Sequence, residues 1–408
     1  MPSEPGTPDK KSKLPAWLAL LAALLGLLFA AYSTFDYANH LDRRLHEVHC
    51  SFIPGAPATS KAEACRAAMY SPYSALFRQH YWGGIPISLF ALGAFSFYAA
   101  FAVYLIAAGG RAPKRAVSFF ATTSLLPVCA SLVMFSISVL KLGSICKICA
   151  GIYISSLLLA VMAWLLARAQ RTRPVAEAQA TVSKLMPLFW LATLGLVSLT
   201  PALVYAGSAP DERPFIDKCG TLKQPKIKND ELVKIATLHP TRKALLFEDP
   251  LCEICKAFHQ RLVSENIIEQ LDIELALFPL DTDCNWMLDQ SLHPGACLVS
   301  KAVLCGGSQA RQVLEWAFDE QEYLNRAAKS GVDVLRGAIK QRWGDTLLRC
   351  VDDRKTDVRL NNHLHFASDN GIPVLTPQMY LGDKRICDED TDLGLRYTLG
   401  VLAPEVLK

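Results

Sequence analysis

Cys146-Lys147-Ile148-Cys149-Ala150-Gly151-Ile152-Tyr153 opens an apolar run that extends over about residues 145 to 167. A run of this length predicts a membrane-spanning helix, because about 20 apolar residues of helix cross the hydrocarbon core of a bilayer. Residues three or four positions apart share one face of a helix. We therefore expect Cys146, Cys149 and Tyr153 to form a stripe that points from the membrane edge inward, where a thiol pair and a phenol can exchange electrons with a lipid-soluble compound. The alternative is that the two cysteines are small packing residues at a helix start and Tyr153 an interfacial aromatic.

Four more apolar runs of this kind occupy about residues 15 to 35, 83 to 107, 116 to 140 and 185 to 206. The whole chain has 408 residues, 51% hydrophobic content and a mean hydropathy of +0.21, which is too apolar for an ordinary soluble enzyme. The first run follows Lys10, Lys11 and Lys13 and exceeds the apolar core of about 7 to 15 residues in a cleavable signal peptide. We interpret it as a retained span, which gives five spans.

The charge is divided unevenly along the chain. Residues 1 to 206 hold 17 Lys and Arg against 7 Asp and Glu, net +10, and residues 207 to 408 hold 25 against 31, net −6. Because most of the positive charge lies between apolar runs, a nucleic-acid-binding protein is excluded. With a cytoplasmic N-terminus, ten cations fall in the inner segments and seven in the outer ones, and the positive-inside rule favours this orientation. We expect a multi-pass plasma (inner) membrane protein with residues 207 to 408 on the periplasmic, extracytoplasmic side.

A second Cys-x-x-Cys pair lies in this outer half. The predicted strand Lys243 to Glu248 leads into Cys252-Glu253-Ile254-Cys255, and a helical pattern follows to about Val263. The positive end of a helix dipole stabilises a thiolate at the first cysteine, and the second cysteine can then resolve a mixed disulfide. A purely structural disulfide at this pair is the alternative.

The remaining cysteines and histidines carry weaker signals. Cys50 and Cys65 lie in the loop of residues 36 to 82, and Cys129 is expected to be a buried free thiol in the third span. Six further cysteines allow fifteen pairings, and we expect structural disulfides, with a second redox pair as the alternative. These six are Cys219, Cys284, Cys297, Cys305, Cys350 and Cys387. No metal site is expected, and His293, His363 and His365 are interpreted as turn or surface residues rather than ligands.

The membrane half resembles the vitamin K epoxide reductase family over about residues 15 to 168. The resemblance rests on the loop cysteine pair, Ser71-Pro72-Tyr73-Ser74, Gly84-Ile85-Pro86-Ile87-Ser88-Leu89 and the Cys-x-x-Cys at the head of the fourth span, with Tyr153 four residues beyond its second cysteine. It implies a four-helix bundle that holds a quinone, with Cys50 and Cys65 as a shuttle pair that exchanges with Cys146.

The same resemblance implies that Cys149 lies nearest the quinone, that Tyr153 hydrogen-bonds a quinone oxygen, and that Ser71 is the polar residue after the loop pair. Two features depart from the family pattern. Fourteen residues separate the loop cysteines, and the second span has no Asn of the kind that holds vitamin K. We therefore expect a quinone of the ubiquinone or menaquinone type.

The outer half resembles a thioredoxin-fold domain of the DsbA-like kind over about residues 215 to 408. Thr376-Pro377-Gln378-Met379-Tyr380-Leu381 places Pro377 before a short strand, as in the cis-proline loop of that fold, and a strand that began at Pro373 would be broken by Pro377. The separation of Cys255 from Pro377 leaves room for a large helical insertion over about residues 293 to 370, in which Ala296 to Cys305 and Gln309 to Phe318 are predicted helices.

Taken together, these features predict a multi-domain chain: a cytoplasmic N-terminus (1–14), a helical quinone-binding bundle (15–168), a cytoplasmic loop with a fifth, linking helix (169–208), and an α/β thioredoxin-like domain (209–408). The hypothesis is a quinone-dependent thiol–disulfide oxidoreductase that forms disulfide bonds in exported cysteine-containing proteins. Its electrons would pass to the lipid quinone pool. A membrane-tethered disulfide reductase or isomerase, and a non-catalytic binding or chaperone module with structural disulfides, remain the alternatives.

Overall fold

The computed structural model describes residues 10–40, 68–69, 71–141, 145–171, 183–225 and 232–407. The chain forms two compact units. The first, here called the membrane unit, comprises Met1–Phe77 and Gly84–Pro210. The second comprises Arg78–Gly83 and Asp211–Lys408 and is called the outer unit after the side of the membrane that the sequence predicts for it.

Apolar helices make up the membrane unit. In chain order they are α1 (Lys10–His40), α2 (Ser88–Ala108), α3 (Lys114–Thr123), α4 (Leu125–Leu140), α5 (Lys147–Arg171) and α6 (Met186–Ser208). They supply five segments long and apolar enough to cross a membrane: Leu14–Asn39, Ser88–Arg111, Lys114–Leu140, Lys147–Gln170 and Met186–Ser208. The prediction of a multi-pass membrane protein with a helical bundle is confirmed.

The third span differs from the expected single helix because it is built from α3 and α4, which meet at Ser124. Pro127 lies in the first turn of α4 and has no N–H to donate to the carbonyl of Thr123, four residues earlier. The hydroxyl of Tyr98, on α2, donates to that carbonyl instead. The carbonyl that Pro127 leaves without a donor in its own helix therefore accepts a hydrogen bond from a side chain of the neighbouring helix.

Small residues and aromatic rings fill the core of the bundle. Helix α1 packs against both α2 and α5, with Ala19 and Ala23 fully buried. Gly151, on α5, faces the ring of Phe29, and a Cβ atom at this position would lie 2.7 Å from that ring. Glycine therefore permits the close approach of α1 to α5 directly after the membrane Cys-x-x-Cys, in keeping with the small residues at helix contacts in membranes.

A mixed five-stranded sheet forms the centre of the outer unit. Two short antiparallel strands of the membrane unit, β1 (Ala75–Leu76) and β2 (Ile85–Pro86), precede it in the chain. The sheet contains β3 (Val233–Ile235), β4 (Arg242–Glu248), β5 (Leu271–Leu277), β6 (Gln378–Leu381) and β7 (Lys384–Arg385), in the order β3-β5-β4-β6-β7. Strands β4 and β5 are parallel, and the other neighbouring pairs are antiparallel.

Helices cover this sheet. They are α7 (Glu253–Ser264), α8 (Ala296–Cys305), α9 (Ala310–Asp319), α10 (Gln321–Ser330), α11 (Val332–Val351), α12 (Arg354–Asn370) and α13 (Leu395–Leu402). Successive residues of a strand point to opposite faces, so Leu246 joins a core with α7 to α11, whereas Phe247 stacks on Phe366 of α12. The expected strand at Lys243 to Glu248 and helices at Ala296 to Cys305 and Gln309 to Phe318 match β4, α8 and α9 to within one residue at each end.

Three disulfides cross-link the outer unit: Cys219–Cys387, Cys284–Cys297 and Cys305–Cys350. They use all six cysteines whose pairing the sequence left open. Their partners are 168, 13 and 45 residues apart, so the pairing depends on the folded sheet and its helices.

The short segment Arg78–Gly83 belongs to the outer unit although its sequence neighbours belong to the membrane unit. Arg78 Nη1 lies 3.1 Å from Glu265 Oε1, and Trp82 Nε1 donates to Asp390 Oδ1 at 2.7 Å. Gly394 lies against the Trp82 indole, and a Cβ atom there would overlap Trp82 Nε1. This packing was not predicted from the sequence.

Candidate functional site

The Cys-x-x-Cys of the outer unit lies where β4 runs into α7. Cys252 is the N-cap residue of α7, with extended backbone, and Cys255 lies in the first turn. Both side chains are buried, Cys252 at 5% exposure and Cys255 at 0%, and the structure shows them as two thiols. The site therefore has the strand-to-helix geometry expected from the sequence, with the first sulfur nearer to solvent than the second.

The two thiols differ in acidity. A hydrogen bond from Cys255 lowers the pKa of Cys252 to about 6, and the positive end of α7 acts in the same direction. Burial raises the pKa of Cys255 well above its usual value. At neutral pH Cys252 is thus the thiolate and Cys255 the thiol, which is the division of roles that thiol–disulfide exchange needs.

Pro377 is placed beside this pair. The Thr376–Pro377 peptide bond is cis, and the Cys252 thiol lies 3.8 Å from the carbonyl oxygen of Thr376, to which it can donate. Strand β6 begins at the next residue, Gln378, and pairs with β4. The structure therefore brings the last predicted site residue of the outer half next to Cys252.

A buried acid lies beneath the cysteines. Glu248, the last residue of β4, is fully buried, and neither carboxyl oxygen has a hydrogen-bond partner among the described residues. Burial raises its pKa to about 7, and the negative Cys252 acts in the same direction, while His259 opposes them. His259, on α7, is also buried, and its Nε2 lies 3.7 Å from Glu315 Oε1, on α9. Apart from its place at the end of an apolar strand, nothing in the local sequence pointed to this acid.

Asp249 follows Glu248 and forms the turn that leads to Cys252. Its fully buried carboxylate accepts hydrogen bonds from the amides of Leu251 (2.7 Å) and Leu280 (2.8 Å) and lies 2.7 Å from His293 Nδ1. Burial alone would lower the pKa of His293, but the hydrogen bond to Asp249 and its charge outweigh burial and raise it.

The expectation for His363 is therefore wrong, because this residue is fully buried on α12, with Nδ1 accepting the amide of Leu277 at 2.9 Å. His293 lies in a turn, as expected, and its ring is the partner of a buried carboxylate. A buried backbone amide needs an acceptor, and the end of β5 finds it in α12. These pairings depend on tertiary contacts that local sequence does not show.

The second Cys-x-x-Cys lies at the head of α5 in the membrane unit. Cys146 is buried against Phe29 and Tyr32 of α1, and Cys149 is half-buried in the same cluster. Tyr153, one turn further into the membrane, neighbours Cys149 and Ser138 and contacts the ring of Phe135, with ring centroids 6.1 Å apart. The predicted stripe of two thiols and a phenol is therefore present.

The other predicted residues of the membrane half are only partly described. Cys50 and Cys65 lie outside the described residues. Ser71 is buried and its hydroxyl donates to the carbonyl of Ala68 at 3.0 Å. Cys129 is exposed on the surface of α4 rather than packed inside the protein, so the expectation of a buried thiol is wrong.

Comparison with known proteins bears on the membrane half. Residues 17–164 match the model of the Vitamin K epoxide reductase family. Neither the curated proteins nor the solved structures contain a match to the chain. The matched region contains the second and third spans, most of the first and fourth, and both cysteines of the membrane pair. Over residues 17–164 the chain is therefore similar to the Vitamin K epoxide reductase family, whose members perform disulfide and quinone redox chemistry in membranes.

Proposed function

We propose that the chain is a membrane thiol–disulfide oxidoreductase that forms disulfide bonds in exported proteins and passes their electrons to a quinone. The observation that carries the proposal is the unequal thiol pair of the outer unit. Cys252, at the N-terminus of α7, has a lowered pKa, whereas Cys255 is fully buried with a raised one. A purely structural disulfide has no need of this difference.

The fold around Cys252 supports a thioredoxin-like domain. The central strand β4 leads directly into the Cys-x-x-Cys helix, the parallel strand β5 lies on one side of it, and β6, preceded by the cis bond at Pro377, lies on the other. Helices α8 to α12 all lie between β5 and β6 in sequence, as the proposed helical insertion requires. We propose the domain limits 1–14, 15–168, 169–208 and 209–408 on the same grounds.

The outer unit would act as follows. With Cys252 and Cys255 joined as a disulfide, a substrate thiolate attacks Cys252 Sγ, and the electron pair of the broken S–S bond passes to Cys255. We propose that the buried Glu248, whose charge acts on Cys255, is the source of the proton that Cys255 takes up, because its raised pKa leaves part of it protonated near neutral pH. A second substrate thiolate then attacks the mixed disulfide, a substrate disulfide forms, and Cys252 leaves as a thiolate.

The reduced pair would next pass two electrons to Cys50 and Cys65 by the same exchange. This shuttle role rests on the family resemblance, since both residues lie outside the described part of the chain. The loop pair would then reduce a disulfide of Cys146 and Cys149, with Cys146 as the exchanging sulfur.

The membrane end of the pathway fits a quinone. A bound quinone supplies an acceptor for two electrons and two protons. Tyr153, beside Cys149, offers a hydroxyl donor, and its neighbours Phe135 and Ser138 offer an aromatic face and a second hydroxyl. These residues would orient the ring and place Cys149 next to it. The second span has no Asn of the kind that holds vitamin K, which favours a quinone of the ubiquinone or menaquinone type.

The three disulfides of the outer unit favour an oxidising compartment, because structural disulfides persist there and are rare in the cytosol. Together with the excess of cations in the inner segments, they support an outer unit on the periplasmic side of the plasma (inner) membrane. Its protein partners would be exported proteins with free cysteines, and its small-molecule partner the lipid quinone pool.

Trapping the mixed disulfide tests the proposed order of transfer. In a full-length Cys255→Ala variant, Cys252 cannot be resolved by its own partner. We expect it to accumulate in a disulfide with Cys50 or Cys65, identified by mass spectrometry of the non-reduced peptides. A Cys129→Ala change in the same background should leave the yield unchanged. If Cys252 forms no adduct with either loop cysteine, the proposed relay is wrong.

A further inference from the structure

Asp249 and His293 form a charge pair next to the Cys-x-x-Cys of the outer unit, and the proposed thiol–disulfide exchange does not use it. Asp249 is fully buried, and His293, whose side chain is 25% exposed, approaches it to 2.7 Å. A buried carboxylate next to a thiolate is unfavourable unless its charge is offset. The position of this pair therefore bears on the reactivity of Cys252.

Asp249 is tied to both cysteines through the backbone. Its carbonyl oxygen accepts the amide of Cys252 at 3.1 Å, and its own amide lies 3.5 Å from Cys255 Sγ. Its negative charge raises the pKa of Cys252, against the hydrogen bond from Cys255 that lowers it. With no cation on Asp249, this carboxylate would disfavour the Cys252 thiolate.

His293 is held in place independently of its ring. Its amide donates to the carbonyl of Leu280 at 3.0 Å, and its carbonyl accepts the amide of Ala296 at the start of α8. Asp281 accepts the amide of Gly295 at 2.9 Å, and the disulfide Cys284–Cys297 closes the same loop. A change of the ring alone should therefore leave the loop folded.

The titratable groups around the pair come from each adjoining element. Asp249 lies in the turn after β4, Glu253 and Cys255 lie on α7, and Glu248 at the end of β4 faces Cys255. Cys252 and Glu253 are, after Asp249, the negative groups that act on the His293 ring. The imidazolium of His293 is thus placed among negative groups, one of which is the reactive thiolate.

We propose that His293, carried by Asp249, is a positioning residue that offsets the buried carboxylate and thereby stabilises the thiolate of Cys252. The inference rests on the proposed thiol–disulfide function. In the release step, the substrate thiolate attacks the substrate sulfur of the mixed disulfide, a substrate S–S bond forms, and the bond to Cys252 breaks. The electron pair of that bond stays on Cys252, so a nearby cation makes Cys252 the better leaving group.

The test is the pH profile of Cys252 alkylation in the reduced full-length protein. His293→Asn keeps an N–H donor for Asp249 but removes the charge. Iodoacetamide labelling is followed by mass spectrometry of the tryptic peptide Ala244–Lys256, with fragment ions that distinguish Cys252 from Cys255. Loss of one neighbouring cation raises a thiol pKa by about one unit, so labelling at pH 6 should slow about fivefold and converge with the wild-type rate at high pH.

Two comparisons separate charge from structure. His365→Asn, at a histidine whose ring lies against Trp286, should leave the profile unchanged. The double variant Asp249→Asn with His293→Asn removes both charges and should return the labelling rate to within about threefold of wild type. If His293→Asn leaves the profile unchanged, or if the double variant is as slow as the single one, the inference is wrong.

The redox equilibrium of the pair distinguishes this inference from the proposed function. Equilibration with glutathione should show His293→Asn as about tenfold less oxidising than wild type, which corresponds to about 30 mV for two electrons. If the wild-type pair exchanges with glutathione and His293→Asn has the same redox equilibrium, only the role of His293 is overturned. A wild-type pair that does not exchange at all overturns the proposed function.

Discussion

Glu248 offers the sharpest quantitative test of the site, because its carboxyl group is fully buried and has no hydrogen-bond partner among the described residues. Burial raises its pKa from 4.5 to about 7. Since each pKa unit corresponds to about 1.4 kcal/mol, the native state pays up to about 3 kcal/mol to hold Glu248 ionised at high pH.

The direction of the pH dependence follows from the raised value. The stability contribution of Glu248 is fully present below pH 4.5, where both the folded and the unfolded chains are protonated, and it is lost as the pH rises toward 7. Glu248→Gln keeps the shape of the side chain and cannot ionise. We expect the variant to gain between about 1 and 3 kcal/mol on wild type between pH 5 and pH 8.

Hydrogen–deuterium exchange of the β4 amides in the full-length protein, corrected for intrinsic rates, gives the free energy of opening of the sheet at each pH. Glu322→Gln, at a carboxylate 84% exposed to solvent, is the matched control and should show no such gain. An equal pH dependence in Glu248→Gln and wild type would refute the assignment of a buried acid with a raised pKa.

Three further predictions concern the remaining elements. Replacing Cys305 and Cys350 by Ser removes a 45-residue cross-link and should destabilise the outer unit by about 2 to 4 kcal/mol in urea-dependent proteolysis, while Cys252 alkylation stays normal. Gly151→Val places a side chain against the ring of Phe29, so we expect loss of quinone reduction with unchanged Cys252 labelling. The control Gly207→Val, at a position where an added Cβ atom meets no atoms within 4 Å, should leave both unchanged. Tyr153→Phe keeps the ring but removes the hydroxyl and should raise the KM for quinone more than it lowers the rate of glutathione exchange at Cys252.

The sequence predicted the elements whose signal is local. Apolar length alone predicts the five spans, and the strand before Cys252 and the helix after it follow from a short apolar run and the helical pattern beyond. The break of the third span at Ser124 was missed, since Pro127 within the first turn of a helix looks like any tolerated proline until the contact of Tyr98 is known.

The surroundings of the thiols depend on contacts between distant residues and could not be predicted. Asp249 and His293 are 44 residues apart and meet only because the loop after β5 returns to the turn before α7. Glu248 looked like the polar end of a strand, and its burial becomes apparent only when α7 and the helices after β5 cover it. Pairing of the six cysteines depends on the same tertiary contacts.

In the proposed function, electrons pass from Cys252 and Cys255 to a quinone. Anaerobic oxidation of the pre-reduced full-length protein by ubiquinone or menaquinone in lipid vesicles tests this transfer most directly. The disulfide content of the peptide Ala244–Lys256 is measured over time together with quinol formation. We expect this disulfide to form only when quinone is added, with one quinol per disulfide, and Cys149→Ala to abolish both. Formation of the disulfide at the same rate without quinone, or in Cys149→Ala, would contradict it.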